Sequence, residues 1–142
     1  MSVDVEEHFH VAAFDRHIQP TDWHQHPSRV VANTERLLAL FDRRRVKATF
    51  FILGWVAERH PALIQRIVAG GHEVASHGCL HIPAFRQTRA EFADDVSRSK
   101  AILEDASGQP VLGYRAASFS IVKRNQWAFE ELDRAGYRYS SS

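Results

Sequence analysis

The chain has 142 residues, of which 44% are hydrophobic and 25% are charged, and its formal net charge is +1. These values exclude a disordered or low-complexity chain, and the near-neutral charge gives no reason to expect nucleic acid as a partner. The single cysteine, Cys79, excludes an internal disulfide framework and a zinc site built from several cysteines, whereas nine histidines provide many candidate metal ligands.

Strands and helices are predicted to alternate along the chain. In chain order they are a strand at 2–5, a loop at 10–27, a helix at 28–44 with Ser28 as N-cap, a strand at 46–53, a helix at 56–69, a strand at 72–76, a helix at 88–105 opened by a Thr88–Glu91 capping box, a strand at 111–120, a helix at 125–135 and a strand from Tyr137. This alternation predicts an α/β fold, the N-terminal part of an incomplete β/α barrel with a parallel sheet.

The last predicted strand begins just before residue 142, so we expect one domain over 1–142 that is truncated at its C-terminus. Its open sheet edge would favour self-association. No stretch of about 18 apolar residues predicts a membrane span, and the acidic N-terminus lacks the regions of a signal peptide. We therefore expect a cytoplasmic chain.

Two carboxylates stand at the end of the first predicted strand, as Asp4-x-Glu6. Residues two apart on a strand share a face, so both side chains point the same way, about 7 Å apart along the chain. Two like charges in this arrangement raise one pKa unless a cation or an arginine lies between them. The alternative is a solvated acidic strand end without a function.

His77 and His81 form an H-x-x-x-H pair after the third predicted strand. An extended chain would separate them by about 13 Å, so they share a metal ion only if the chain curls after His77, which Gly78 permits. Two imidazoles and one carboxylate make a three-ligand site with a position left for water, the pattern of catalytic zinc. The pair alone is weak evidence, but its place after a buried strand favours a metal site.

Arg115 follows the start of the fourth predicted strand, within Gly-Tyr-Arg-Ala-Ala-Ser. An arginine on a barrel strand is costly to bury unless it faces a carboxylate. Pairing with Asp4 would keep that carboxylate ionised and orient it as a base. The alternative is an arginine that caps a neighbouring helix.

The remaining histidines and the cysteine have less specific interpretations. His8-x-His10 and His24-x-His26 could each form a second metal clip, but histidines in loops beside a groove more often line the substrate path or are simply exposed. Cys79 is expected to pack under the loop, because it lacks the neighbouring base of a nucleophile.

These groups, in this order, resemble the polysaccharide deacetylase family, which is the NodB-homology domain of carbohydrate esterase family four. The resemblance is closest to the deacetylases of exopolysaccharide loci linked to exosortase systems. It runs along essentially the whole chain and is carried by three segments: VDVEEHF, KATFFILGWVAERHPALIQRIVAGGHEVASHG-x-x-H and GYRAASFSI.

The resemblance implies hydrolysis of N-acetyl groups on the amino sugars of a polysaccharide. By resemblance, Asp4 is the general base, Arg115 orients it, and Glu6, His77 and His81 hold a divalent metal. Zn²⁺ is the default ion, and Co²⁺, Ni²⁺ or Mn²⁺ would suit the same ligands. Three further side chains are expected to contact the substrate: His10, Tyr114 and Ser118.

The chain departs from the family pattern at several positions. Ala117 stands where the family has a proline after Arg-Ala, Cys79 stands where an aromatic residue is common, and Ser140 stands where the exosortase-type relatives carry an aspartate. The family's later motifs, including the histidine that acts as general acid, lie beyond residue 142. We therefore expect this chain to hold the metal but to protonate the leaving amine poorly, if at all.

Three alternatives stay open at this point. Two remain within the superfamily, a cyclic-amide hydrolase and a deacetylase of peptidoglycan instead of exopolysaccharide. The third is a non-catalytic module that binds carbohydrate or a protein partner. The retained acidic, histidine and arginine residues argue against the third alternative, whereas the absent general acid supports it.

Overall fold

Five parallel strands form a single open sheet in the computed structural model, which describes residues 1–14 and 17–142. The strands follow one another across the sheet in chain order: β1 (Ser2–Val5), β2 (Thr49–Ile52), β3 (Glu73–Ser76), β4 (Gly113–Tyr114) and β5 (Tyr139–Ser140). Since the sheet does not close on itself, the predicted α/β fold with an incomplete parallel barrel is confirmed.

Helices connect successive strands. They are α1 (Val30–Arg44), α2 (Gly54–Arg59), α3 (Pro61–Ala69), α4 (Arg89–Ser107) and α5 (Trp127–Arg134). The predicted single helix over 56–69 is wrong, because the chain breaks between α2 and α3 at His60, whose backbone is non-helical (φ −132°, ψ 54°). Pro61 causes the break, since proline disfavours helical geometry in the residue before it.

Two further predicted elements differ from the structure. The predicted strand at 111–120 is only two residues long, because the chain leaves the sheet after Tyr114 and forms a 3₁₀ turn at Ala117–Phe119. The predicted loop at 10–27 is made partly of short 3₁₀ turns at Ala12–Phe14 and Pro20–Gln25. These turns lack a regular apolar period, so the sequence pattern could not reveal them.

The core lies between the sheet and the helices. β2 is its centre, where Phe50 and Ile52 are completely buried. α4 supplies an inward stripe at three- and four-residue spacing, made of Phe92, Val96, Ser99 and Leu103. The predicted capping box that begins this helix is confirmed, since Thr88 Oγ1 accepts from the Glu91 amide and Glu91 accepts from the Thr88 amide.

The start of α1 is held by an acid from a distant part of the sequence. Ser28 was expected as N-cap, but the helix begins after Arg29 and no side chain of its own caps it. Instead the buried carboxylate of Glu7 accepts hydrogen bonds from the Ser28 hydroxyl and from the amides of Arg29 and Val30. A negative charge here also interacts favourably with the helix dipole, so Glu7 ties the segment after β1 to α1.

None of the helices in residues 1–14 and 17–142 combines the length and the apolar character that a membrane crossing requires.

The Glu7→Gln substitution should destabilise the fold. Glutamine keeps the side-chain shape, but it turns a charged acceptor into a neutral amide whose NH₂ faces backbone donors. We expect a loss of about 1.5–3 kcal/mol in the free energy of unfolding, the range for hydrogen bonds to charged groups. Urea denaturation measures this loss.

Glu35→Gln is the matched control, because Glu35 lies on α1 in a half-exposed ion pair with Arg66. Such surface pairs contribute about 1 kcal/mol or less. Equal losses in the two variants would contradict the role assigned to Glu7.

Candidate active site

The candidate site lies where the carboxyl ends of neighbouring parallel strands meet. β1 pairs with β2 and β2 with β3, so the residues that follow β1 and β3 arrive at the same edge of the sheet. Asp4 lies within β1, Glu6 follows it, His77 directly follows β3, and Arg115 directly follows β4. This edge is where open α/β sheets and barrels place their ligands.

Glu6, His77 and His81 form a compact group of candidate metal ligands. Each offers one ligand atom, and these atoms all lie within 4.8 Å of one another. Glu6 Oε2 is buried and has no hydrogen-bond partner among the described residues, although His81 Nε2 lies 3.1 Å away. A buried carboxylate oxygen and two imidazoles that converge in this way are the donor set that a divalent transition metal prefers.

The backbone of Arg115 fixes the orientation of the His77 ring. His77 Nδ1 lies 2.8 Å from the Arg115 carbonyl oxygen, which can only accept a hydrogen bond. Nδ1 therefore carries the proton, and the lone pair of Nε2 is left for a ligand. Burial lowers the pKa of His77, so the imidazole stays neutral, as metal binding requires.

Without a cation beside it, the ionised form of Glu6 is disfavoured. Burial, and then the negative charge of Asp4, raise the pKa of Glu6 to about 7. Asp4 and Glu6 were expected to share a face and to oppose each other in this way. A cation among the three ligand atoms would offset both causes, so the residues present fit a divalent metal.

The loop that carries the two histidines curls as predicted. Gly78 has φ +78° and His81 has φ +57°, so the chain enters the left-handed region at two points between the ligands. The His77 and His81 ring centroids are consequently 5.2 Å apart. Glycine adopts this conformation at little cost, whereas a side chain at position 78 would be strained.

The same loop, which we call the ligand loop (77–81), is docked on the start of α2. The Gly54 and Trp55 amides donate to the carbonyls of Gly78 and Cys79, at 2.9 and 3.1 Å. These are among the first amides of α2, which have no partner within the helix, so the ligand loop serves as its cap. Gly54 allows the close approach, because a Cβ there would lie 3.2 Å from Cys79 Sγ.

The structure pairs Arg115 with Asp4, as predicted, and does not use Arg115 as a helix cap. Its Nη1 donates to Asp4 Oδ1, and its Nη2 donates to the hydroxyls of Ser2 and Ser141, both at 2.9 Å. The guanidinium carbon lies 3.9 Å from the centroid of the Phe51 ring. Arg115 is thus held from several directions, which fixes the orientation of the Asp4 carboxylate.

Asp4, Arg115 and the three ligands face a common cavity of about 220 Å³. Ser118, predicted as a substrate contact, also lines this cavity, together with Phe119. Both residues have positive φ values, 54° and 51°, and the Phe119 side chain is 75% exposed. Two consecutive non-glycine residues in this region are strained, a feature that occurs preferentially at functional sites.

The other two predicted substrate contacts lie outside that cavity. His10 is buried against Trp23 and Trp55, accepts a hydrogen bond from the Glu7 amide through Nδ1, and lines a neighbouring cavity that it shares with His81. Burial lowers the pKa of His10 to about 3, so its ring is neutral. The Tyr114 ring is buried in the core, where it contacts other aromatic rings.

Three other histidines and the cysteine, within the described part of the chain, form no comparable group of ligands or catalytic residues. Across residues 1–14 and 17–142, His8, His24 and His26 belong to no group of three converging ligand atoms. The side chain of Cys79, which is part of the ligand loop, is buried, as expected. Burial, and then the charge of Asp95, raise the pKa of its thiol to about 12, so a thiolate is not available as a nucleophile.

Sequence reasoning missed Asp95, which contacts the ligand loop from α4. Its Oδ1 accepts a hydrogen bond from the Cys79 amide at 3.1 Å. A signal was present, because Asp95 lies three residues after Phe92 and four before Ser99, next to the inward stripe of α4. An acid beside a buried stripe needs a partner.

Comparisons with known proteins identify a family. A family model described as polysaccharide deacetylase matches residues 14–140. A chitooligosaccharide deacetylase of Bradyrhizobium sp. (strain ANU 289) is 35% identical over 88 residues, which cover 62% of this chain and 40% of the relative. The crystal structure of a predicted polysaccharide deacetylase from Mycobacterium smegmatis superposes with a TM-score of 0.77 at 28% identity, over 99% of this chain and 49% of that one.

The chain therefore spans about half the length, or less, of these relatives. A CE4 family pseudoenzyme from Bacillus anthracis also shares the fold, with a TM-score of 0.72 at 21% identity over 80% of this chain and 40% of that one. Because a pseudoenzyme has this fold, the fold by itself does not establish catalysis.

Gly78→Ala should destabilise the chain more than the backbone conformation alone explains. A Cβ at this position would lie 2.8 Å from Asp95 Oδ2, in addition to the strain of φ +78°. Gly108→Ala is the matched control, since Gly108 has φ +67° with nothing within 4 Å of its Cβ position. We expect about 1–2 kcal/mol from strain in both variants and at least about 1 kcal/mol more for Gly78. Equal urea midpoints for the two variants would contradict the close packing of Asp95 on the loop.

Proposed function

The chain belongs to the polysaccharide deacetylase family, and from this we propose that it is a metal-dependent hydrolase that removes N-acetyl groups from the amino sugars of a polysaccharide. The bond that is hydrolysed is a non-peptide carbon–nitrogen bond. The observation that carries the proposal is the convergence of the Glu6, His77 and His81 ligand atoms beside the Asp4–Arg115 pair.

Glu6, His77 and His81 would hold the metal. Zinc is the default, because one carboxylate and two imidazoles suit it, while cobalt, nickel and manganese accept the same donors. When bound, the ion supplies Lewis-acid polarisation of a carbonyl and makes a water molecule more acidic. The Arg115 carbonyl contributes by holding His77 in the tautomer that leaves Nε2 unprotonated.

Asp4 is the residue we assign as general base. Its carboxylate faces the cavity, and Oδ1 is held by the Arg115 guanidinium. The Arg115 guanidinium orients the Asp4 carboxylate, which can take a proton from water as it attacks the acetyl carbon. Arg115 acts through Asp4 and is a positioning residue.

For the substrate we propose an N-acetylated exopolysaccharide. The Bradyrhizobium relative is a chitooligosaccharide deacetylase by name, which supports an N-acetylated amino sugar as the reacting unit. Acetate release from N-acetylglucosamine oligomers and from peptidoglycan, together with ring opening of a cyclic amide, separates the proposed substrate class from the two superfamily alternatives. A non-catalytic carbohydrate-binding module would bind the oligomers and show no metal-dependent hydrolysis of 4-nitrophenyl acetate, an ester whose leaving group needs no proton from the protein.

Metal binding is the first test of the proposal. We expect the purified chain to bind close to one equivalent of Zn²⁺ and His77→Ala to lose at least about 100-fold in affinity, because a ligand is removed from a three-ligand site. His24→Ala should bind as wild type, since this exposed histidine lies outside the ligand group. Isothermal titration with Zn²⁺ measures both affinities.

An equal loss in His24→Ala would move the metal to the His24-x-His26 clip. Failure of the wild type to bind any of the four candidate ions would remove the metal from the proposed function.

Asp4→Asn should abolish base catalysis while it leaves the metal in place. We expect the metal-dependent rate to fall by about 100- to 10,000-fold, the usual contribution of a positioned general base. 4-Nitrophenyl acetate is the assay substrate, because its leaving group departs without a proton from the protein. The rate of chelator-treated protein is subtracted.

Asp42→Asn is the control, since Asp42 is an exposed acid on α1. If Asp4→Asn kept the wild-type rate with metal bound, Asp4 would not be the base.

A further inference from the structure

Hydrogen bonds from several elements hold the backbone of the ligand loop. The carbonyls of Gly78 and Cys79 accept from the first amides of α2. The Gly78 amide donates to the hydroxyl of Ser76 at 3.1 Å. The Cys79 amide is the group in this set that depends on a side chain from a distant element, Asp95 of α4.

Asp95 meets the loop at more than one point. Its Oδ1 accepts from the Cys79 amide, its own backbone carbonyl lies 3.5 Å from Cys79 Sγ as an acceptor, and its Oδ2 lies where a Cβ on Gly78 would be 2.8 Å away. The carboxylate thus packs directly on the segment between the two histidine ligands. It touches neither the ligand atoms nor the cavity that they line.

The surroundings shield this carboxylate from water. Burial is the largest influence on Asp95 and raises its pKa to about 6, although the hydrogen bonds from Cys79 oppose the shift. Tyr114 is also buried close by, and its hydroxyl lies 4.0 Å from the Cβ position of Gly78. A partly buried acid is costly unless it has a partner, so its presence on α4 needs an explanation within the fold.

We propose that Asp95 is a positioning residue for the metal centre, which sets the separation of His77 and His81 by anchoring the Cys79 amide to α4. This inference rests on the proposed metal-binding function. The chain between the two histidines has only three residues, two of which contact Asp95. A shift at Cys79 must therefore move at least one imidazole, and ligand geometry within a few tenths of an ångström decides metal affinity.

The proposal distinguishes the hydrogen bond from the charge. Asp95→Asn keeps an acceptor oxygen of the same reach, so it should bind metal nearly as wild type does. Asp95→Ala leaves the Cys79 amide without its acceptor, and we expect the affinity for Co²⁺ to fall by about 10- to 100-fold, the loss seen for outer-shell partners. Asp94→Ala is the matched control, since Asp94 is the exposed neighbour of Asp95 on the same helix.

The experiment is a Co²⁺ titration of the wild type and the three variants, followed by visible absorption. Cobalt absorption reports coordination geometry, which a general loss of stability in a chain that is still folded does not change. We expect an altered spectrum and weaker binding in Asp95→Ala, and unchanged behaviour in Asp95→Asn and Asp94→Ala. Wild-type affinity and spectrum in Asp95→Ala would overturn the proposal, as would equal losses in Asp95→Asn and Asp95→Ala.

A second measurement covers the case in which Asp95→Ala does not fold. Hydrogen exchange of the Cys79 amide in the wild type should be slow, and rapid exchange in the folded chain would overturn the anchoring role. If the wild type binds no cobalt although the Cys79 amide is protected, the proposed metal-binding function fails while the anchor itself stands.

Discussion

The hydrogen bond from the Gly54 amide to the Gly78 carbonyl connects the turns after two neighbouring strands, and the candidate site depends on it. Glycine at position 54 eases the close backbone approach, because a Cβ there would lie 3.2 Å from Cys79 Sγ. The bond caps α2 and, at the same time, holds the bend after β3 against the turn after β2. Without that bend His77 and His81 would diverge along an extended chain, and Glu6 would have no partners.

Electrostatics then gives the neighbouring acids separate roles. Glu7 turns away from the site and satisfies the start of α1, where the helix dipole favours its charge. The charge of Asp4 opposes the ionised form of Glu6, whose buried Oε2 has no hydrogen-bond partner within the described part of the chain. Since the pKa of Glu6 is raised above its ordinary value, the stability contributed by its neutral form is lost as pH rises through about 7. Arg115 compensates the charge of Asp4, so the uncompensated negative charge is that of ionised Glu6, close to the two imidazoles.

The fold class with its parallel sheet and the curl between the two histidines could be predicted from the sequence, because both depend on local signals. Alternating elements predict a parallel sheet, and the spacing of His77, Gly78 and His81 predicts a curl. The cap on α1 could not be predicted, since Ser28 is a good local N-cap and the competing acid lies 21 residues away along the chain. Tertiary contacts also decide the early end of β4, where the strained turn at Ser118 replaces the expected strand.

Arg115 connects the proposed base to one of the candidate metal ligands. Its guanidinium pairs with Asp4, while its own carbonyl holds the His77 ring, so one residue after β4 orients both the proposed base and a candidate metal ligand. The residues around it make this double role possible, since the Phe51 ring supports the guanidinium and the Ser76 carbonyl accepts from the Arg115 amide at 2.8 Å. A movement of this turn would displace a proton acceptor and a ligand together. The arrangement therefore favours a site that keeps or loses its function as a unit. The element that must be preserved is the sheet edge, more than any single side chain.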